Sequence, residues 1–434
     1  MPSDPTLAYV WVWLPGHTAP VVAGALQQTG PTTRFVYGRS YLNRREAISL
    51  YAPELPLVSG PQSPQVGDVH GCIRDAAPDS WGRRIIEHRL GLFLADPELS
   101  VLTYLLESGS DRIGALDFQD SPEHYVARDA GQATLDELVT AAEHLDRHEP
   151  LTPALDQALF HGTSIGGARP KALLEDGARR LIAKFSSSSD HYPVVKAEFV
   201  AMELARRTGL DVAPVEYVNV LGRDVLLVER FDRTPAGGRR AVVSALTVLG
   251  LDEVAGRYAS YADLATAIRH NFTNADTTLH ELFARITFNV LVGNNDDHAR
   301  NHAAFWDGAM LTLTPAYDVC PQGRSGETST QAMAIGGDGY RESNVFGCIE
   351  RAATYHLTKG QAGTIVDAQI TSIRENWDEV CDLAELTHEQ RAALFEMQFL
   401  NPGAIRDERV ISPSRGVAHL PVPPSVAPPS SSLR

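Results

Sequence analysis

Short apolar runs broken by Gly and Pro open the chain. YVWVWL and RFVYG, both within residues 8–60, read as strands of a small sheet, and the pattern predicts a separate β-rich module over about residues 1–60. In DAAPDSWGRRIIEHRLGLFL the spacing turns helical through Ile85, Ile86, His88, Arg89 and Leu90, with Asp79 or Ser80 placed to cap the start. VLTYLLESGSDRIGALDF then predicts a helix, a Gly-containing turn and a strand. Residues 130–160 are polar and Leu-punctuated, as expected of an exposed connecting helix.

From residue 161 the order of elements carries more information than any one of them. HGTSIGGARPKALLE is a Gly-rich loop between strands, and LIAKF is a short buried strand whose apolar run ends at Lys184. VVKAEFVAMELARRTGL puts Val195, Phe199 and Met202 on one helical face, with Gly209 as its stop. VEYVNV and VLLVERF alternate as a hairpin around LGRD. Further on, TTLHELFARITFNVLVGN aligns Leu279, Leu282, Phe283, Ile286 and Val290 close to one stripe. AAFW and MLTLT flank Asp307 and Gly308 as a second hairpin, and two more helical stretches, including THEQRAALFEMQFL, follow residue 350. The prediction is an α+β, bilobal chain: an N-terminal lobe over residues 61–240, a helical C-terminal lobe over 241–411, and a disordered Pro- and Ser-rich tail over 412–434.

Composition narrows the functional classes. A chain of 434 residues exceeds the size at which single cores stop growing, about 250 to 300 residues, so several modules are expected. The formal charge of −16 leaves no global attraction for phosphate backbones or anionic membranes, so direct nucleic-acid binding would need a local basic patch. Cys72, Cys320, Cys348 and Cys381 are scattered, without metal-ligand pairing or the density of a disulfide scaffold, which suits a reducing cytoplasm. Asp4 stands where a signal peptide would carry positive charge, Pro15 breaks the first apolar run, and no window approaches the roughly 20 apolar residues of a membrane span.

GNNDDHARN, residues 293–301, brings the chemistry into view. Asp296 stands five positions before Asn301, and Asp318 follows beyond the second hairpin in TPAYDV. Phosphoryl transfer from ATP needs such a set: a carboxylate to take the acceptor's proton, then an amide and a second carboxylate to hold Mg²⁺. Asp296 is the candidate base, and Asn301 and Asp318 are the candidate metal ligands. His298 either orients the loop or is a satisfied interior histidine. Lys184 is placed to meet the α- and β-phosphates, with Glu198 favoured over Glu203 as its partner because of the helical stripe. Backbone groups around Glu229 and Phe231 in VERFDR are the candidate adenine contacts. SIGGARPK is not a P-loop, since its glycine spacing is wrong and no Ser or Thr follows Lys171. Gly166 and Gly167 nevertheless let an anion approach the backbone, and Lys171 supplies charge nearby. Ser164, at the loop's edge, is a candidate phosphate acceptor.

DAAPDSWGRR, ESGSDRIGAL, SIGGARPK, LIAKF, ELARRTGL, LLVERFDR, GNNDDHARN and PAYD together make the chain resemble the HipA-type serine/threonine kinases, the toxin halves of bacterial toxin–antitoxin pairs, over about residues 8–400. The resemblance implies that Asp296 is the catalytic aspartate, Asn301 and Asp318 the Mg²⁺ ligands, Lys184 the ATP-phosphate lysine and VERFDR the adenine hinge. It implies that Ser164 is autophosphorylated to eject the Gly-rich loop, with Thr163 beside it as a second acceptor. It further implies an aminoacyl-tRNA synthetase as substrate, glutamyl-tRNA synthetase above all, growth arrest as outcome, and a small helix-turn-helix antitoxin, HipB-like, as partner. Two other classes compete: a small-molecule kinase of the aminoglycoside-phosphotransferase kind, and a non-catalytic corepressor of the antitoxin.

Overall fold

The chain's strands form three antiparallel sheets in a computed structural model that describes residues 5–407 apart from 93–98, 129–132, 148, 150, 168, 178, 188–189 and 324–325. The Pro- and Ser-rich tail over 412–434 lies outside the described residues. The first sheet comprises β1 (Leu7–Val12), β2 (Val21–Thr29), β3 (Thr32–Tyr37), β4 (Pro61–Gln62) and β5 (Leu116–Gln119), in the order β4-β3-β2-β1-β5. Strand β1, between β2 and β5, is covered on both faces. Ala8, Val10 and Val12 enter the main core, while Trp11 and the following Trp13 are buried beside Tyr125, with ring centroids 5.6 and 5.3 Å away. The sheet therefore does not end at residue 60. Pairing of Tyr9–Val12 with β5 hides an edge that the first 60 residues would leave open, so the intervening helices belong with this sheet.

A second sheet joins β6 (Lys171–Asp176), β7 (Arg179–Phe185), β8 (Val215–Val220) and β9 (Arg223–Glu229) in the order β6-β7-β9-β8. Strand parity decides what faces what. Leu181, Ala183 and Phe185 of β7 enter a small back cluster with Trp81, Ile85, Leu138 and Val139. That leaves Ile182 and Lys184 on the opposite face, toward the Val194–Arg207 helix. The stretch read as an exposed connecting helix is instead two helices, Leu135–Asp146 and Pro153–Leu159, and the first buries Leu138, Val139, Ala141 and Ala142 against this cluster. Its polar composition reflects a helix with one covered face.

Beyond β9 the body is mainly helical, with a third sheet of β10 (Ala241–Ser244), β11 (Ala303–Trp306) and β12 (Leu311–Leu313). At its centre runs the Ala275–Leu291 helix, whose Leu279, Leu282, Phe283, Ile286 and Val290 are all fully buried. Gly293, at φ 71°, ends that helix, and a Cβ there would stand 2.9 Å from the Gln398 carbonyl oxygen. Glycine is thus required where the chain leaves the helix for GNNDDHARN. This is the expected two-lobed α+β arrangement, with a small sheet and one helix above a helical body.

The segment between the lobes is fastened by charge. Arg230 and Arg233 both reach Asp232, at 2.9 and 2.8 Å, and both reach Asp111, at 3.0 and 2.5 Å. Asp232 also accepts from the Gly114 N–H at 2.7 Å. The Arg and Asp side chains of VERFDR therefore anchor the strap to SDRIGALDF of the first unit.

One buried histidine makes the fold acid-sensitive. His70 is 1 % exposed, and burial depresses its pKa to about 4, only partly opposed by a backbone contact with Ser63. An unfolded chain takes up this proton near pH 6.5 and the folded one near pH 4, so the contribution is complete above pH 6.5 and is lost as pH falls between those values. The shift corresponds to about 3 kcal/mol. Urea midpoints of wild type and His70→Gln should converge as pH falls from 7 toward 5; parallel loss in both would remove His70 from the account.

Candidate active site

Four of the sequence-predicted side chains meet where β7, the Val194–Arg207 helix and the two loops after the Ala275–Leu291 helix converge. Lys184 Nζ donates to Glu198 Oε1 and to Asp318 Oδ1, each at 2.5 Å. Asp318 Oδ2 in turn accepts from Asn301 Nδ2 at 2.8 Å. The 17 positions between Asn301 and Asp318 are taken up by the β11–β12 hairpin, whose turn is held by Asp307 Oδ1 accepting from the Ala309 and Met310 N–H groups at 2.8 and 2.7 Å. Glu203 is not part of the group; it pairs with Arg206 and Arg207.

The charges sharpen one another. Burial alone would raise the Asp318 carboxyl, but Lys184 and Lys171 outweigh it and hold the group well below the usual carboxylate range. Lys184 is held above its ordinary value, because Asp318 and Glu198 overcome the burial that would discharge it. Lys171 has no such pairing and is pushed down by burial and then by Lys184. Asp318 adopts φ 60°, a left-handed conformation uncommon outside glycine and the kind of backbone strain found at functional sites.

A hard cation fits this set. Asn301 Oδ1 is buried with no hydrogen-bond partner while its Nδ2 binds Asp318. Rotating the amide exchanges the two atoms without changing its outline, and the oxygen would then face the carboxylate, which only a cation between them makes favourable. Among the described residues no three His, Cys, Asp or Glu side chains form an all-protein cage. Mg²⁺ does not require one, since it retains waters and substrate oxygens.

Asp296 and its neighbour Asp297 have opposite surroundings. Asp296 is exposed at the loop surface, as is His298. Asp297 is buried, and its Oδ2 gathers Tyr261 Oη at 2.5 Å, Asn289 Nδ2 at 2.7 Å and His302 Nε2 at 2.8 Å. Burial would raise the Asp297 carboxyl, but His302 foremost keeps it low. Asp297, Asn289, Tyr261 and His302 hold the loop that presents Asp296, a group the sequence reading missed. The readable trace was polar Asn289 between Phe288 and Val290 in the buried last turn of the Ala275–Leu291 helix. His302, not His298, is the buried histidine bonded within the loop.

The remaining predicted residues lie above and beside this centre. Lys171 Nζ donates to the Gly166 carbonyl at 2.6 Å, and the Gly167 N–H donates to the Asp79 carboxylate. Ser164 is 5 % exposed, its hydroxyl donating to the Asp111 carbonyl at 3.1 Å. Thr163 is fully enclosed, bonded to the Phe160 carbonyl and the Gly109 N–H. In the strap, the Glu229 N–H is taken by the Pro214 carbonyl at 2.9 Å, so it is not available to adenine. The Phe231 ring packs with Phe305 and Tyr317, centroids 5.8 and 5.6 Å away.

Comparison with known proteins agrees with this arrangement. Residues 12–119 match the HipA N-terminal domain, ending where β5 ends, and residues 163–377 match the HipA-like C-terminal domain. Y4mE of Sinorhizobium fredii, which carries a provisional kinase name, is 28% identical over 349 residues, covering 72% of this chain and 77% of that protein. The serine/threonine-protein kinase toxin HipA of Shewanella oneidensis is 28% identical over 184 residues, 36% of this chain and 42% of that one. The solved Shewanella oneidensis complex of HipA, HipB and operator DNA aligns with a TM-score of 0.66 at 20% identity, over 89% of this chain and 93% of that one. Among the described residues no helix is long and apolar enough to cross a membrane. Two family matches in the expected order, on a fold shared nearly end to end, place this chain in the HipA family.

Proposed function

We propose that this chain is a Mg²⁺-ATP-dependent serine/threonine protein kinase of the toxin type. The observation that carries the reading is the unbroken chain of contacts Glu198–Lys184–Asp318–Asn301, which would offer a triphosphate an ammonium and, with the Asn301 amide turned, a divalent cation two oxygen ligands. Lys184, steadied by Glu198, would bind nucleotide phosphates. Asp318 and the unpaired Asn301 oxygen would hold Mg²⁺, which when bound offsets charge on the phosphate oxygens. Asp296 accepts the proton of the acceptor hydroxyl as the new oxygen–phosphorus bond forms and the bond to ADP breaks.

The substrate is read as an aminoacyl-tRNA synthetase, glutamyl-tRNA synthetase in particular, whose phosphorylation arrests growth. The partner is read as a HipB-like helix-turn-helix antitoxin, with DNA met only indirectly through it; that the aligned HipA structure is a complex with HipB and operator DNA supports the partner. Ser164 is the proposed autophosphorylation site. Its enclosure means that a phosphate of about −1.5 to −2 charge has no room where the hydroxyl now sits, so modification would require the loop to leave.

Purified protein with Mg²⁺ and labelled ATP is expected to label itself, and Asp296→Asn to lose the label by about 10²-fold or more. Equal labelling by the mutant rejects Asp296 as base.

A further inference from the structure

An anion does approach the Gly-rich loop, and it is the chain's own Asp79. Asp79 Oδ2 accepts from the Gly167 N–H, and a Cβ on Gly166 would stand 3.0 Å from that same oxygen. Gly167, at φ 113°, leaves room for the Lys171 ammonium, which a Cβ would overlap at 1.8 Å. Burial raises the Asp79 carboxyl above its ordinary value, opposed only in part by the Lys171 charge, the Gly167 N–H, Arg300 and Arg83. Trp81 braces the same place, its backbone N–H donating to the Gly167 carbonyl at 3.1 Å and its indole to the Lys171 carbonyl at 2.8 Å.

Two features of Asp79 are poor choices for stability alone. It occupies the N-cap position of the Ser80–Arg89 helix yet makes no side-chain capping bond, forgoing the interaction that favours Asp there. Its Oδ1 is buried with no hydrogen-bond partner, a costly state for a carboxylate oxygen. Both make sense if the carboxylate stands in for a ligand. A loop N–H near an ammonium is what a phosphate oxygen seeks, and Asp79 occupies the N–H while the ammonium donates to the Gly166 carbonyl.

We propose that Asp79 is an internal competitor for the phosphate-facing donors of the Gly-rich loop, so that nucleotide binds by displacing its carboxylate and Asp79 sets nucleotide affinity. This rests on the kinase reading above. Asp79 is then a positioning residue, acting through the loop and not on the transferred phosphoryl group.

The test uses the full chain and Mg²⁺-ATP, with binding measured by calorimetry and self-labelling rates measured against ATP concentration. Asp79→Asn keeps the side chain's outline and an acceptor oxygen but removes the charge. Its Kd and KM for ATP should fall about tenfold at low salt, with the rate at saturation within about twofold of wild type. The gain should shrink as salt is added, because it is electrostatic. Unchanged or weaker binding by the mutant, with wild type binding normally, overturns the Asp79 proposal alone. Absence of nucleotide binding in both overturns the kinase reading and this inference with it. Should Asp79→Asn fold poorly, Asp79→Ser, small and neutral, carries the same expectation.

Discussion

Asp318→Asn is expected to lower phosphoryl transfer by about 10³-fold while leaving metal-free nucleotide binding intact or improved. The carboxylate has two tasks in the structure. It holds Lys184 from one side at 2.5 Å and keeps Asn301 in register at 2.8 Å. The amide cannot supply the anionic oxygen that a hard cation prefers, and several kcal/mol of charge stabilisation is the scale of that loss. Lys184 would not be stranded, because Glu198 still accepts from it on the other side at 2.5 Å. With one negative charge removed from the cleft, the ammonium is freer to meet phosphate. The signature is therefore a split: Mg²⁺ ceases to strengthen nucleotide binding, although binding without Mg²⁺ persists. Titrations with and without the ion check it. A mutant that still gains affinity from Mg²⁺ would exclude Asp318 as a ligand.

The second large effect concerns the scaffold. Arg112 is fully buried, its Nε donating to Asp117 Oδ1 at 2.9 Å and its guanidinium also reaching the Ala76, Leu105 and Ser108 carbonyls. Arg112→Ala is expected to destabilise the protein by about 3–5 kcal/mol, since breaking one side of a buried pair leaves the other charge and several carbonyls without their donor. Asp117 retains Arg128 at 3.0 Å, which places the expected loss toward the lower end of that range. Thermal denaturation should show a drop of roughly 10 °C. A double mutant, Arg112→Met with Asp117→Leu, should recover part of the loss by removing the buried pair together, the carbonyls and Arg128 still lacking their partners. If Arg112→Ala melts with the wild type, the buried pair contributes little to stability.

Much of the site could be read from residue order because local rules decide it. The apolar stripe of Leu279, Leu282, Phe283, Ile286 and Val290 makes a helix wherever it is buried, and a loop follows where Gly293 ends it. The parity of LIAKF puts Ile182 and Lys184 on one face and Leu181, Ala183 and Phe185 on the other. Glu198 was preferable to Glu203 from the helical stripe alone, and the structure gives Glu198 to Lys184 and Glu203 to Arg206 and Arg207.

What escaped the sequence depended on partners far along the chain. Nothing near residue 60 indicates that β1 will pair with Leu116–Gln119, because an open strand edge looks the same whether or not a distant strand covers it. Asp297 and His302 carry no mark of their role in the sequence, because it depends on Asn289 and Tyr261, from two helices, converging on one carboxylate oxygen. Asp79 looked like a helix cap, yet its carboxylate meets Gly167, 88 positions away.

By itself, then, the sequence determined the type and succession of elements, and which oxygen- and nitrogen-bearing side chains were available to meet a phosphate, since periodicity and short-range spacing depend only on neighbours. Tertiary structure alone decided which carboxylate is exposed and which is locked away, and which anion rests against the Gly-rich loop. Those outcomes depend on burial and on charges brought together from remote segments, and no local pattern encodes either.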